Sequence, residues 1–359
     1  MKYILQVNTG SLDTPNYKAD EISERLDHIL EYLDVSRVIF GWHDDHEENE
    51  KICRYLKEKG IEAYFWLPVF AEITDMDKED PYVETDLFEK KESRLNNGDA
   101  FEFVCQSSER NIRYITDRFE EICRDIDLDG VFLDRIRYKS PALAKDAIFG
   151  CQCQSCRKMY YENVADKGIY DKLIPQRIEN GVYRYDDGNI DGLMRIKRET
   201  INRQIERLHG YFKGRDLKVG LDTFALCLAD FVGQDIISLN ESSDFIKPMF
   251  YLRTTAPAGL PFELEGLPER TRDRINELWE KDVNTIEGSV MQCEYLLNHG
   301  VRIAPGIDVN HIEGICDSNE EYVLEYIENL KKIGCEEIVL SWDSIKLEDS
   351  LLEKIKTNN

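Results

Sequence analysis

The chain has 359 residues, of which 42% are hydrophobic and 33% charged, and its net charge is −25. That length and apolar share suit one large α/β domain. The negative surface opposes phosphate backbones and anionic lipid, which excludes nucleic acid and membrane surfaces as general partners and leaves a neutral small molecule as the expected ligand.

The first segment, MKYILQVNTGS, has too short an apolar run for a signal-peptide core, and no run approaches the roughly 20 residues that span a bilayer. A cytoplasmic protein is expected, and a homo-oligomer is left open. Strand one is read at Tyr3–Val7, followed by a helix at Lys18–Leu33. Strand two is Arg37–Gly41, with a helix at Glu47–Lys59, and strand three is Ala63–Val69. An acidic stretch, Glu72–Ala100, reads as a loop before a helix at Glu109–Arg124. Strand four, Gly130–Ile136, leads to a cysteine cluster, a helix from about Arg157, a polar insertion at Lys172–Asn189 and a helix at Leu193–Phe212. Strands five and six are Lys218–Phe224 and Phe245–Tyr251; a Pro/Gly-rich loop, Thr254–Pro268, then precedes one helix at Thr271–His299. Strands seven and eight are Arg302–Ile307 and Glu336–Trp342, and a short acidic helix closes the chain.

Strands apolar at consecutive positions, such as IVLSW, are those of a parallel sheet covered on both faces. Eight strand–helix units with right-handed crossovers predict a closed (β/α)8 TIM barrel, one domain over residues 1–359, with loops inserted after strands three, four and six. An open doubly wound sheet would carry a Gly-rich phosphate loop after strand one, and NTGSLDTPN is not one.

In such barrels the working residues stand at the C-terminal strand ends. There lie Trp42, His43, Trp66, Asp134, Arg137, Tyr138, Asp222, Tyr251, Arg253, Asp308, Asn310, Trp342 and Asp343. Aromatic planes pack on the C–H faces of sugar rings, while carboxylates and guanidinium groups bind hydroxyls. The pattern therefore points to a carbohydrate site, the rival being barrel-to-helix packing of each Trp. Asp134, after the apolar run GVFL, is the sharpest acid, either a nucleophile or a stabiliser of oxocarbenium-like charge; the competing role is a salt bridge to a neighbouring Arg. Glycoside hydrolysis needs a second carboxyl, and Asp222, Asp308 and Glu263 are the candidates. Asp343 also reads as a helix cap. His43, Asp44, Asp45 and His46 read as a solvated turn or a metal site.

Cys151, Cys153 and Cys156 form C-x-C-x-x-C, a spacing that binds metal in a reducing compartment. Cys105 is the best fourth ligand, which would close a structural zinc site; free thiols and an iron–sulfur cluster are the alternatives.

Cys105-Gln-Ser-Ser108, then Asp129–Tyr138 (DGVFLDRIRY), then the three cysteines together resemble a recurring block of glycoside-hydrolase-like barrels. The four-cysteine arrangement is similar to the zinc site of family-42 β-galactosidases. The strand-four segment resembles that of hydrolases related to the α-amylase and α-galactosidase groups, whose strand-four Asp is the nucleophile; the resemblance places that role on Asp134. KPMFY, APGID and LSWDS match the later strands more loosely. The chain departs from these groups in having Asp-Arg where family 42 has Asn-Glu, and Asp222 where the α-amylase group has Glu. The acid/base therefore does not carry over. The resemblance implies a glycoside hydrolase with structural zinc acting on a small imported glycoside or oligosaccharide. The alternatives are a sugar-binding barrel without catalysis and a metal-dependent barrel isomerase or lyase using His43, Asp44 or His46.

Overall fold

A computed structural model describes residues 1–11, 14–15, 17–71, 103–151, 153–160 and 167–357. The acidic stretch expected as a loop at Glu72–Ala100 lies outside them.

Eight parallel strands close a barrel: β1 (Lys2–Asn8), β2 (Val35–Gly41), β3 (Glu62–Pro68), β4 (Gly130–Asp134), β5 (Lys218–Phe224), β6 (Phe245–Phe250), β7 (Gly306–Asp308) and β8 (Glu337–Ser341). Each pairs with its sequence neighbours, and β1 closes the ring against β8 with Lys2 opposite Glu337 and Leu5 opposite Leu340. The helices α1 (Ala19–Leu30), α2 (His46–Lys59), α3 (Glu109–Cys123), α4 (Gly188–Lys213), α5 (Glu269–Trp279), α6 (Ile286–Asn298), α7 (Glu320–Lys332) and α8 (Asp349–Thr357) follow their strands. Side-chain caps start many of them. Asp45 accepts from the Glu48 N–H, Ser108 from Asn111 and Asn319 from Tyr322, each satisfying an otherwise unpaired donor. α2 ends at Gly60, whose φ of 72° suits a residue without Cβ.

The expected helix at Thr271–His299 is two helices. Glu280 adopts a φ of 54°, and Thr285 caps a fresh start by accepting from the Gly288 N–H. The region expected as strand seven, Arg302–Ile307, pairs regularly only from Gly306, because Pro305 has no N–H to give a ladder. The polar insertion contains an antiparallel ribbon, Arg177–Glu179 with Val182–Arg184, turned at Asn180-Gly181, both with positive φ.

Apolar burial divides into two layers. The larger cluster lies between strands and helices, where residues such as Leu5, Phe65, Leu133 and Ile338 meet helical residues such as Ile52, Ile115 and Leu330. Each such fully buried side chain contributes roughly 1.5–3 kcal/mol. The second fills the barrel interior with Ile4, Ile39, Tyr64, Trp66, Phe132, Phe245, Ala304 and Val339. Gly130 and Gly220 leave room for the rings there: a Cβ on Gly220 would stand 2.5 Å from Phe245, and one on Gly130 2.5 Å from Tyr64.

Candidate active site

Side chains alternate faces along a strand, so the inward position recurs every second residue. Climbing from the apolar interior layer, Ile4 gives way to Gln6 and Asn8 on β1, Tyr64 to Trp66 on β3, and Phe132 to Asp134 on β4. Gly220 gives way to Asp222 on β5, Phe245 to Lys247 on β6, and Val339 to Ser341 on β8. Two residues of rise convert a hydrocarbon plug into a polar floor. Above it lies an open cavity of about 250 Å³, lined by Gln6, Asn8, Trp42, Trp66, Asp134, Arg135, Asp222, Met249, Tyr251 and Trp342, with Thr254, Ala256–Ala258 and Ile315 from the loops.

Asp134 is 6% exposed at the wall of this cavity. One oxygen accepts from the Trp66 indole N–H at 3.0 Å, and the other from the Arg135 backbone N–H at 2.5 Å. The Arg135 guanidinium lies 3.8 Å away and reaches over the Trp42 ring, 5.6 Å from its centroid. Asp134 thus has an adjacent cation and also opens on the cleft. Asp222, on the next strand, is held by the Lys247 ammonium at 3.0 Å. Burial pushes the Asp222 carboxyl up to about 7 against the pull of Lys247, and the charge of Asp134 adds to the rise. Burial likewise lowers Lys247 below the usual lysine range, with Asp222 opposing.

Aromatic rings form the remaining wall. Trp42 and Trp66 meet edge to face at 5.4 Å, and Tyr251 lies tilted 6.2 Å from Trp342. Asn310 fixes Trp342 from behind, accepting from the N–H groups of Trp342 and Asp343 at 3.0 and 3.2 Å and donating to the Asp343 carbonyl at 2.9 Å. Among the described residues, three of the seven non-glycine residues with left-handed φ, Trp42 (85°), Arg135 (55°) and Ala258 (74°), belong to the cavity lining. Backbone strain of this kind persists where surrounding structure enforces it, and it concentrates at functional sites. Gln6 Nε2, Trp42 Nε1 and Asp222 Oδ1 are buried without a hydrogen-bond partner among the described residues.

The structure therefore brings together Asp134, Asp222, Trp42, Trp66, Tyr251 and Trp342. The other expected site residues do not line the cavity. Asp308 is fully buried and ties the loop after β6 to α7, accepting from Tyr322 OH at 2.6 Å, Thr254 Oγ1 at 2.8 Å and the Arg253 N–H at 2.9 Å. Glu263 is 3% exposed on a short helix, Leu260–Glu265, accepting from the Ala258 N–H at 2.9 Å; burial raises its pKa, with Arg137 opposing. Arg137 is buried over the Phe103 and Phe224 rings, and Tyr138 is buried beneath Lys197. Arg253 lies over Tyr322. Asp343 accepts from Tyr17 OH at 2.9 Å and pairs with Lys346 at 3.1 Å. His43 is 1% exposed in the turn after β2, with its Nδ1 accepting from the Asp45 N–H. Asp44 pairs with Arg118, and His46 Nδ1 contacts the Ile122 carbonyl, so these groups do not converge on a cation.

Gln6 and Arg135 stand at the expected ends of strands one and four, whereas the strand-end rule misses Lys247. The signal for Lys247 was present: a lysine amid FIKPMF, on the inward register two residues beyond Phe245.

Among the described residues, the one grouping of metal-competent side chains is Cys105, Cys151, Cys153 and Cys156, with all four sulfurs within 4.8 Å of one another. Cys105 lies 3.5 Å from Cys156 and 3.8 Å from Cys153. Tetrahedral Zn–S bonds of about 2.3 Å would set sulfurs ~3.8 Å apart, so the donor set fits such an ion. Hydrogen bonds from Cys105 and Cys151 hold the Cys156 thiol below its usual range. Ser107 Oγ and the Asn111 amide bracket the cluster, the latter donating to the Cys105 carbonyl at 3.1 Å.

Neither a family model nor a curated protein matches the sequence. Solved structures share the fold. The glycoside hydrolase domain of PgaB (BpsB) from Bordetella bronchiseptica aligns with a TM-score of 0.63 at 13% identity, covering 99% of this chain and 98% of that one. α-L-Fucosidase isoenzyme 2 from Paenibacillus thiaminolyticus aligns at 0.53 and 11% identity, over 99% of this chain and 48% of the other. The spore cortex-lytic enzyme SleL of Bacillus megaterium aligns at 0.53 and 7% identity, over 99% and 73%. At these identities the likeness is one of fold.

Proposed function

We propose that the chain is a single-domain glycoside hydrolase in which Asp134 and Asp222 are the working carboxyl pair. The observation that carries the reading is their meeting in one aromatic-walled cavity at the C-terminal end of the barrel. Asp134 faces the anomeric carbon as nucleophile or charge stabiliser, and Asp222 gives a proton to the departing glycosidic oxygen. Trp42, Trp342 and Tyr251 offer ring faces to the sugar. The identity of the neighbouring folds supports a carbohydrate substrate. The resemblance of DGVFLDRIRY to strand-four nucleophile motifs supports the same role for Asp134. The four thiolates hold a zinc ion in a closed structural site, as the similarity to family-42 enzymes implies. Ten cysteines without a disulfide suit a reducing compartment.

The test is Asp134→Asn assayed on a panel of aryl glycosides. The expected result is a folded, metal-replete protein whose kcat/KM falls by on the order of 10³-fold or more, as for loss of a covalent catalyst. Unchanged turnover removes the role. A second reading, a sugar-binding barrel without catalysis, draws on the hydrogen bond that ties Asp222 to Lys247; ligand binding without hydrolysis across the panel would favour it.

A further inference from the structure

Lys247 takes no part in the reaction just described, yet it sits at the centre of the polar floor with no exposure to solvent. Its ammonium contacts three acceptors from three places in the barrel: Gln6 Oε1 at 2.9 Å, Asp222 Oδ2 at 3.0 Å and Tyr251 OH at 2.6 Å. Below, it lies 5.5 Å from the centre of the Phe132 ring, which closes that side with hydrocarbon.

An ammonium has three donors and no acceptor, which fixes the sense of every contact. Gln6 must turn its carbonyl to the lysine, so its NH₂ turns away. Asp222 commits Oδ2, leaving Oδ1. Tyr251 accepts through its oxygen, so its own O–H points elsewhere. All three residues line the cavity, and of their atoms Gln6 Nε2 and Asp222 Oδ1 are buried with no partner among the described residues. We propose that Lys247 is a positioning residue: its three hydrogen bonds turn Gln6, Asp222 and Tyr251 so that an amide donor, a carboxyl oxygen and a hydroxyl donor face the sugar together. The inference rests on the hydrolase reading only in calling that ligand a sugar.

The space for this hub is made by Gly306 at the start of β7. A Cβ there would stand 2.4 Å from Lys247 Cε and 3.1 Å from its Cγ. Gly306→Ala would therefore displace the ammonium without removing its charge. That separates position from charge in a way that substituting the lysine cannot.

The experiment compares wild type, Lys247→Met and Gly306→Ala by ¹³C-carboxyl NMR titration of Asp222, alongside kcat/KM on the aryl-glycoside panel. The groups that bear on Asp222 are Lys247, Asp134, Arg135 and Tyr251, and only the first is altered. Removing the cation raises the Asp222 midpoint by about one unit or more; displacing it gives a smaller rise in the same direction. Both variants lose turnover, Lys247→Met by on the order of 10²-fold, with most of the loss in kcat. An Asp222 titration identical in all three proteins overturns the hub, whatever the activity. A loss in Lys247→Met with wild-type turnover and titration in Gly306→Ala also overturns it, since charge alone would then suffice. If the midpoints move as expected while even the wild type cleaves no glycoside, the hub stands and the hydrolase reading falls. Should Lys247→Met fail to fold, Gly306→Ala decides.

Discussion

Two buried cation–carboxylate clusters can be set side by side in this barrel. At its mouth, Lys247 meets Asp222, with Gln6 and Tyr251. On its flank, Arg198 of α4 pairs with Asp230 in the segment after β5, and Lys197 donates to the Ile148 and Phe231 carbonyls at 3.2 and 2.5 Å. Burial raises the carboxyl pKa in both, with the neighbouring cation opposing. The clusters differ in what is left over. On the flank, Asp230 Oδ1 accepts from Arg198 and Oδ2 from the Tyr183 N–H at 3.3 Å, so both oxygens are satisfied within the protein. At the mouth, one carboxyl oxygen and one amide nitrogen are buried without a partner among the described residues. A satisfied cluster is scaffolding, whereas unmet hydrogen-bonding capacity beside a cavity is what a ligand completes.

Substitutions should separate the two clusters. Asp222→Asn is expected to lower kcat/KM by about 10²–10⁴-fold, the span of a general acid, with a smaller drop in melting temperature than Asp230→Ala, because the amide oxygen still accepts from Lys247. A melting-temperature collapse with activity retained per folded molecule would reverse the assignment. Asp230→Ala should do the opposite. It strands a buried guanidinium and is expected to cost about 3–5 kcal/mol in urea unfolding, while the folded fraction turns over normally. Acidity provides a smaller, graded contrast. As a proton donor Asp222 must keep its proton, so kcat/KM should fall roughly tenfold per pH unit above about 7, with no such limb in Asp222→Asn. A profile flat from neutrality to pH 9 would assign the proton to another group. The smallest effect is expected from Asn310→Ala, which frees Trp342 from behind. Its lost hydrogen bonds should weaken sugar binding by about 1 kcal/mol, several-fold in Kd, without moving the pH limb.

Much of this was legible in the chain. The strand–helix alternation gave the closed barrel, and the strand-end rule named Asp134, Asp222 and three tryptophans that line the cavity. Asp308 followed the same rule yet lies outside the cavity lining, because a strand end marks height in the barrel but not direction, and neighbouring loops claim some of these groups; Glu263, expected from the long loop after strand six, is held in a short helix by the Ala258 N–H. Asp308 is taken by Tyr322 and Thr254, partners that are far apart in sequence. Lys247 escaped notice for the opposite reason. It lies mid-strand, where a charge is unexpected, and only the inward register counted from Phe245 reveals it. The cysteine spacing was a local signal for three of the sulfurs, Cys151, Cys153 and Cys156; that Cys105 joins them required the loop after β3 to meet the loop after β4.

The two-residue climb from apolar plug to polar floor also bears on how such a protein can change. Substitution at an inward site changes the chemistry by degrees. Inserting or deleting a single residue within β4 or β5 reverses the parity of everything beyond it, swinging Asp134 or Asp222 out among the helices and a leucine into the cleft. Lineages descended from this chain should therefore vary freely in loop length while their strands keep an invariant count.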